Sequence, residues 1–304
     1  TSPLPPGRGI FSGMAFAVSY SADSSEKNRV LELIQSQGGL TLEKGFDELF
    51  SVRDLGDTLE GSPPPTSSSS NDSDALILSS RAQTLGFVAL IADKHSRRAK
   101  YVQALALSLP CLSGRWILDS VASTTPLPWS KYLLPAGESA FLSGAIRSRT
   151  LPSYLPTTAK LAQTVQEREK LLQGGRVLLV SAGAGGRKWE ARRAYAFLTI
   201  ALGASTVRRV SGLESAKRIL DSEKGWGWVY VEGTVEEAEG VLFGQDGSVV
   251  SAAAEDSTTR KGRKRKRDEV QEKEKLVAVG RGGKVRIVGD EFVVQSLILG
   301  DLMV

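Results

Sequence analysis

The chain has 304 residues, 41% of them apolar, which is enough for two domains that each bury a core of their own. No apolar run approaches the roughly 18 residues of a membrane helix, the single cysteine (Cys111) excludes an internal disulfide and a cysteine metal cluster and fits a reducing compartment, and the single histidine (His95) argues against histidine-based metal or triad chemistry. The net charge is +5, but seven basic residues sit in Arg260 to Arg267; without them the formal charge is −2, so the rest of the chain offers no broad surface for coating nucleic acid.

In chain order, Thr1-Ser-Pro-Leu-Pro-Pro-Gly7 reads as a linker or fragment boundary. Ile10 to Tyr20, with Phe11, Met14, Phe16 and Val18, reads as a strand ending near Ser19. Asp23 and Glu26 have capping-box spacing before a helix that carries Val30, Leu31, Leu33 and Ile34, and Gly38-Gly39 stops it. Leu40 and Leu42 begin a second strand. The pattern then fails from about 44 to 86, where Pro63-Pro-Pro-Thr-Ser-Ser-Ser-Ser-Asn-Asp-Ser-Asp74 cannot bury enough apolar surface to offset its ordering; this reads as a disordered insert with locally packed flanks at Phe46, Leu49, Phe50 and Leu76 to Leu78.

Phe87 to Ala92 is a continuous apolar run, as in a strand covered on both faces. Ser96 is positioned to cap a helix whose Val102, Leu105, Ala106 and Leu109 fall at helical spacing, and Pro110 ends it. A short strand follows, then a helix with Trp116, Leu118, Val121 and Ala122. Thr157 or Thr158 can cap a further helix with Leu161, Val165 and Leu172. The pattern restarts at Arg176-Val-Leu-Leu-Val-Ser181, with a helix through Trp189, Phe197 and Leu202, strands at Thr206 to Val210 and Trp226 to Val231, and a short helix capped by Thr234. A polar stretch at about 247–283 precedes a last strand, Val285 to Val288, and a last helix from Asp290 to Gly300.

The Trp116 of a short helix following a strand, the run Ala92-Asp-Lys-His-Ser-Arg-Arg-Ala-Lys-Tyr101 and the later Tyr132-Leu-Leu-Pro-Ala-Gly137 resemble the BRCT repeat family, in particular its tandem members among DNA-damage checkpoint mediators. The resemblance implies an α/β fold of two BRCT repeats, each a small parallel four-stranded sheet flanked by helices, packed in tandem through a helical linker. The boundaries would be 9–137 for repeat one, 138–175 for the linker and 176–304 for repeat two. Phe292 stands where the family usually has Trp, which preserves an aromatic core plug.

In the family, a phosphorylated side chain is held by a Ser or Thr at the end of the first strand, the next backbone N–H and a Lys from the second helix. Motif by motif these fall on Ser19, the amide of Tyr20 and Lys100. Arg97, three residues before Lys100, would share its helical face and meet the residues after the phosphate, or the peptide's terminal carboxylate. In the second repeat Ser181 stands where Ser19 does, but its second helix is acidic, so a single pocket is expected. Lys188 and Trp189 are its candidate contributions near the interface, with core packing the alternative for Trp189. Gly183-Ala-Gly-Gly186 and Gly280-Arg-Gly-Gly-Lys284 miss the spacing of dinucleotide and phosphate loops, no cofactor or metal is implied, and no catalytic set stands out.

Lys261, Arg263, Lys264, Arg265, Lys266 and Arg267 fit a nuclear import signal, a weak DNA tether or a solvated run. The resemblance implies a non-enzymatic nuclear module, at DNA damage sites on chromatin, that binds a phosphorylated histone tail or another phosphoserine protein. The alternative is a phosphate-independent scaffold that docks a protein or a second copy of itself.

Overall fold

The computed structural model describes residues 9–51, 76–181, 187–244, 277–280 and 284–303. The first unit opens with β1 (Ala15–Ser19), all of whose residues are buried, then α1 (Ser25–Ser36) and β2 (Leu40–Leu42). Ser24, not Asp23, caps α1: its hydroxyl accepts the Lys27 N–H at 3.2 Å, while Asp23 pairs with the Lys27 ammonium at 2.5 Å. The chain leaves the helix through Gly38 at φ +79°, a left-handed position suited to glycine.

The two ends of the first insert meet in a short antiparallel pair, β3 (Phe50–Ser51) and β4 (Ile77–Leu78), flanked by single 3-10 turns at Phe46–Leu49 and Ala82–Thr84. The flanks therefore pack, and the Pro63–Asp74 run lies outside the described residues. The unit closes with β5 (Val88–Ala92), α2 (Ala99–Ala106), β6 (Cys111–Ser113) and α3 (Arg115–Ala122). The strand order is β2-β1-β5-β6, all parallel.

Alternation along β1 sorts the two faces. Phe16 and Val18 pack with α1 and α3 through Val30, Ile34, Trp116 and Ile117. Ala15 and Ala17 face α2, with Tyr101, Val102 and Leu105. Trp116 is fully buried against Phe11, Phe16 and Phe87 at centroid distances of 5.6, 5.9 and 5.4 Å, and its Nε1 donates to the Leu127 carbonyl at 2.9 Å. The buried face of α3 is Trp116, Ile117 and Ser120, while Leu118 and Val121 are only partly covered.

The linker holds more than the expected helix. A hairpin of β7 (Gly137–Ser139) and β8 (Ala145–Arg147) precedes α4 (Leu161–Glu167). The helix starts at Leu161, whose N–H bonds the Leu85 carbonyl at 3.1 Å, so a tertiary contact rather than Thr157 or Thr158 sets its beginning.

The second unit runs β9 (Arg176–Val180), α5 (Arg187–Ala201), β10 (Thr206–Val210), α6 (Leu213–Ser222), β11 (Trp228–Tyr230), α7 (Val235–Phe243), β12 (Val277–Gly280), β13 (Val285–Val288) and α8 (Asp290–Leu299). Its sheet differs from the expected four parallel strands: the order is β10-β9-β11-β13-β12, with β12 antiparallel on the edge. β12 falls within the stretch read as a polar insert, and forms because it runs back beside β13 with Ala278 buried. The helix α6 was also not expected; it buries Ala216, Ile219 and Leu220. Thr234 caps α7 as its sequence predicts, accepting the Glu237 N–H at 3.4 Å.

The two units share a core. α2 packs against α5 and α8. Tyr101 and Leu105 lie in one apolar cluster with Phe197, Trp228, Phe292 and Leu297, and the rings of Phe50 and Phe197 meet at 5.6 Å. Each such side chain, fully buried, contributes about 1.5–3 kcal/mol, so the docking of the units is part of folding rather than an addition to it.

Candidate functional site

The carboxyl end of β1 is where the expected residues can meet. Ser19 is the last residue of β1 and is 8% exposed. By alternation it lies on the face of Ala15 and Ala17, the side covered by α2, whereas Tyr20 points to the α1 and α3 side. Lys100 is the second residue of α2. Its Nζ donates to the Val18 carbonyl at 3.4 Å and the Leu42 carbonyl at 3.2 Å. The Val18 carbonyl belongs to the peptide group that joins Val18 to Ser19, so the ammonium lies within one peptide unit of Ser19. Burial pulls the Lys100 pKa below its ordinary value, partly opposed by Glu48 and Glu43 and reinforced by Lys27.

Lys27 is a cation that reading the sequence missed. It sits in the first turn of α1, near enough for its charge to act on Lys100. The available signal was its place three residues after the cap Ser24, just past the strand end.

The loop after β1 is pinned from the β5–α2 connection. Arg98 donates to the carbonyls of Tyr20 and, at 2.8 Å, Ser21. Asp93 accepts the Ser21 amide at 3.1 Å and the Ser21 hydroxyl. Partial burial alone would raise the Asp93 pKa, but the Ser21 hydroxyl and the amides of Ser21 and Lys94 hold it below the usual carboxylate value. The Tyr20 hydroxyl donates to Glu26 at 3.0 Å, and burial followed by that contact raises its pKa.

Two expectations are corrected here. Ser96 does not cap α2: the helix begins at Ala99 after Arg98, and the Ser96 hydroxyl is buried with no hydrogen-bond partner among the described residues. Arg97 therefore precedes the helix instead of sharing a helical face with Lys100. Its guanidinium reaches across to the second unit and pairs with Glu291 of α8 at 2.8 Å. The other Glu291 oxygen accepts the Gln295 amide at 2.7 Å, and the fully buried Gln295 also accepts the Ala140 N–H at 3.2 Å, tying Arg97, α8 and the β7–β8 hairpin together.

Lys188 and Trp189 lie in the first turn of α5, where side chains are outside the described set. Ser181 follows β9 and is buried. Phe292 is buried, with the Trp228 ring at 5.7 Å. The basic residues from Lys261 to Arg267 lie outside the described residues.

Each unit carries a parallel sheet flanked by helices, with β12 added antiparallel at the edge of the second, and α2 packs against α5 and α8; this is the α/β arrangement that the resemblance to tandem BRCT repeats implies. No family model matches the chain. It is 26% identical over 183 residues to the DNA repair protein crb2 of Schizosaccharomyces pombe, covering 60% of this chain and 22% of that protein. It is 30% identical over 159 residues to the DNA repair protein RAD9 of Saccharomyces cerevisiae, covering 48% of this chain and 12% of that protein. The chain thus spans less than a quarter of the length of either relative. Among solved structures, the BRCT5-BRCT6 domains of S. pombe Brc1 align over 75% of this chain and 92% of theirs, at 11% identity and a TM-score of 0.33. Rad4 BRCT1,2 in complex with a Crb2 phosphopeptide aligns over 77% of this chain and 83% of its own, at 13% identity and a TM-score of 0.23. The strand order and these sequence relatives are consistent with a tandem BRCT region of the checkpoint mediator family.

Proposed function

We propose that this region is a non-enzymatic adaptor module that binds a phosphorylated partner, with the phosphorylated C-terminal tail of the damage-marked histone as its target in nuclear chromatin beside DNA breaks. The observation that carries the reading is the partly desolvated Lys100 ammonium beneath the Ser19 end of β1. A phosphoserine carries about −1.5 to −2 charges at pH 7 and needs such a cation with hydroxyl or N–H donors beside it. Ser19, the Tyr20 amide and Lys100 supply that set, and Lys27 adds charge at short range. Arg97, held by Glu291, leads toward the second repeat and supports recognition of the residues after the phosphate.

The test is calorimetry with matched phosphorylated and unphosphorylated histone-tail peptides. A hydrogen bond to a charged group contributes about 1.5–3 kcal/mol, so Lys100→Met is expected to weaken the phosphorylated peptide about 10- to 150-fold and to leave the unphosphorylated one unchanged. Ser19→Ala acts in the same direction but less, and Arg97→Ala loses discrimination for the residues after the phosphate. Deleting 260–267 leaves the affinity nearly intact while lowering nuclear import or nonspecific DNA retention. Equal binding of both peptides by the wild type supports the phosphate-independent scaffold instead, for which the exposed Phe141, Leu142 and Ile146 of the linker hairpin offer an apolar surface.

A further inference from the structure

Gln295 is fully buried in the middle of α8, on the face that also buries Phe292, Leu297 and Ile298. Apolar packing does not call for an amide there, and a buried amide without partners is costly. Its two hydrogen bonds lead away from the core in different directions. Oε1 accepts the Ala140 N–H at 3.2 Å, and Nε2 donates to Glu291 Oε1 at 2.7 Å. Glu291 stands one turn earlier in α8, and its other oxygen, Oε2, accepts from Arg97 at 2.8 Å.

The contacts made along α8 place the linker hairpin. Arg97 meets the helix at Glu291 and Ala140 meets it at Gln295, about 6 Å further along the axis. Gly137 meets it at Ile298, where an added Cβ would lie 2.9 Å from the side chain. β7 therefore runs along α8 toward the helix N-terminus, and the turn that follows it ends beside the Arg97–Glu291 pair.

That pair is weakly held on its own. The side chains of Arg97 and Glu291 are 53% and 32% exposed, and an exposed ion pair contributes little because two long side chains must be ordered to form it. Gln295 changes the balance. By occupying Glu291 Oε1 it fixes the plane of the carboxylate and aims Oε2 at Arg97. The Ala140 N–H in turn fixes which way round the amide sits. Arg97 donates one N–H to Glu291, and its other guanidinium donors remain available to a ligand. We propose that Gln295 is a positioning residue for reading the residues after the phosphate: it transmits the hold of the linker hairpin through Glu291 to Arg97. The proposal rests on the phosphate-binding reading above.

The test uses the full chain, fluorescence anisotropy and two phosphorylated histone-tail peptides, one complete and one ending at the phosphoserine. Gln295→Met keeps the side-chain length and loses both hydrogen bonds. It is expected to weaken the complete peptide about 3- to 10-fold and to leave the shortened one unchanged. In an Arg97→Ala background the same change is expected to have no further effect, because the two residues act through one contact. Ala140→Pro removes only the N–H, at an exposed position preceded by the extended Ser139 (φ −88°, ψ 117°), and is expected to act as Gln295→Met does. If Gln295→Met weakens both peptides equally, or its effect multiplies with that of Arg97→Ala, the residue only holds the repeats together and the proposal is overturned. If neither variant changes binding while Lys100→Met weakens it, the relay is overturned and the phosphate site stands. If phosphorylation gives the wild type no gain in affinity, the phosphate site falls and the relay with it. Ala140→Pro decides the matter if Gln295→Met fails to fold.

Discussion

Trp116 and Lys100 show two ways in which a single side chain matters. Trp116 is fully buried in an aromatic cluster and spends its one donor on the Leu127 carbonyl. Trp116→Ala removes both packing and a buried partner, and is expected to cost about 3–5 kcal/mol in a urea titration. An unchanged unfolding midpoint would mean that α3 is not seated on the sheet. Lys100 is half-buried, and burial lowers its pKa. For a lysine, a lowered folded-state pKa means that the charged form is disfavoured by folding. The free protein therefore gains stability as pH rises through that pKa toward the unfolded value. A bound phosphate favours the charged form, so peptide affinity falls over the same alkaline window. Paired urea and binding titrations across that window measure both slopes, and slopes of the same sign would exclude Lys100 as the phosphate's cation.

At the scale of elements, the start of α3 and the end of β1 constrain each other. A Cβ at Gly114 would lie 2.0 Å from the Tyr20 hydroxyl and 3.0 Å from a Glu26 oxygen. Glycine is required there by close approach, since its backbone φ of −53° is open to any residue. Gly114→Ala must push Tyr20 away, and with it the amide proposed to meet the phosphate. The expected result is a loss of about 1–3 kcal/mol in stability together with weaker phosphopeptide binding. Binding that weakens with stability unchanged would place the disturbance elsewhere. α8 works in the other direction, carrying Glu291 to Arg97 and Gln295 to the linker hairpin.

The molecule as a whole is organised by the contact of α2 with α5 and α8, since residues of both sheets occupy one apolar cluster. Phe197 of α5 is 4% exposed and meets Phe50, which stands at the root of the first insert. Phe197→Ala is expected to cost about 3–5 kcal/mol and to weaken peptide binding through Arg97, because the Glu291 partner belongs to the second repeat. Scanning calorimetry checks the shared core: one transition is expected for the wild type. Two transitions, with the mutation shifting only one, would show that the repeats fold independently.

The order of strands and helices around β1 and β5 was legible in the sequence, because apolar spacing and glycine and proline stops are local. The apolar spacing of Ala216, Ile219 and Leu220 was equally local, so α6 was readable there and was overlooked. Ser19 and Lys100 are proposed through resemblance, since neither a strand-end serine nor a helical lysine stands out alone. Tertiary structure decided the rest. Ser96 had the right spacing for a cap, yet α2 starts at Ala99 because Arg98 is drawn to the carbonyls of Tyr20 and Ser21, 78 and 77 residues away. Arg97 has its partner 194 residues later, in α8. β12 forms as an edge strand only because β13 lies beside it. Hydrogen bonds and charges at such separations leave no periodic trace in a sequence, because their geometry exists only after the apolar surfaces have brought the elements together.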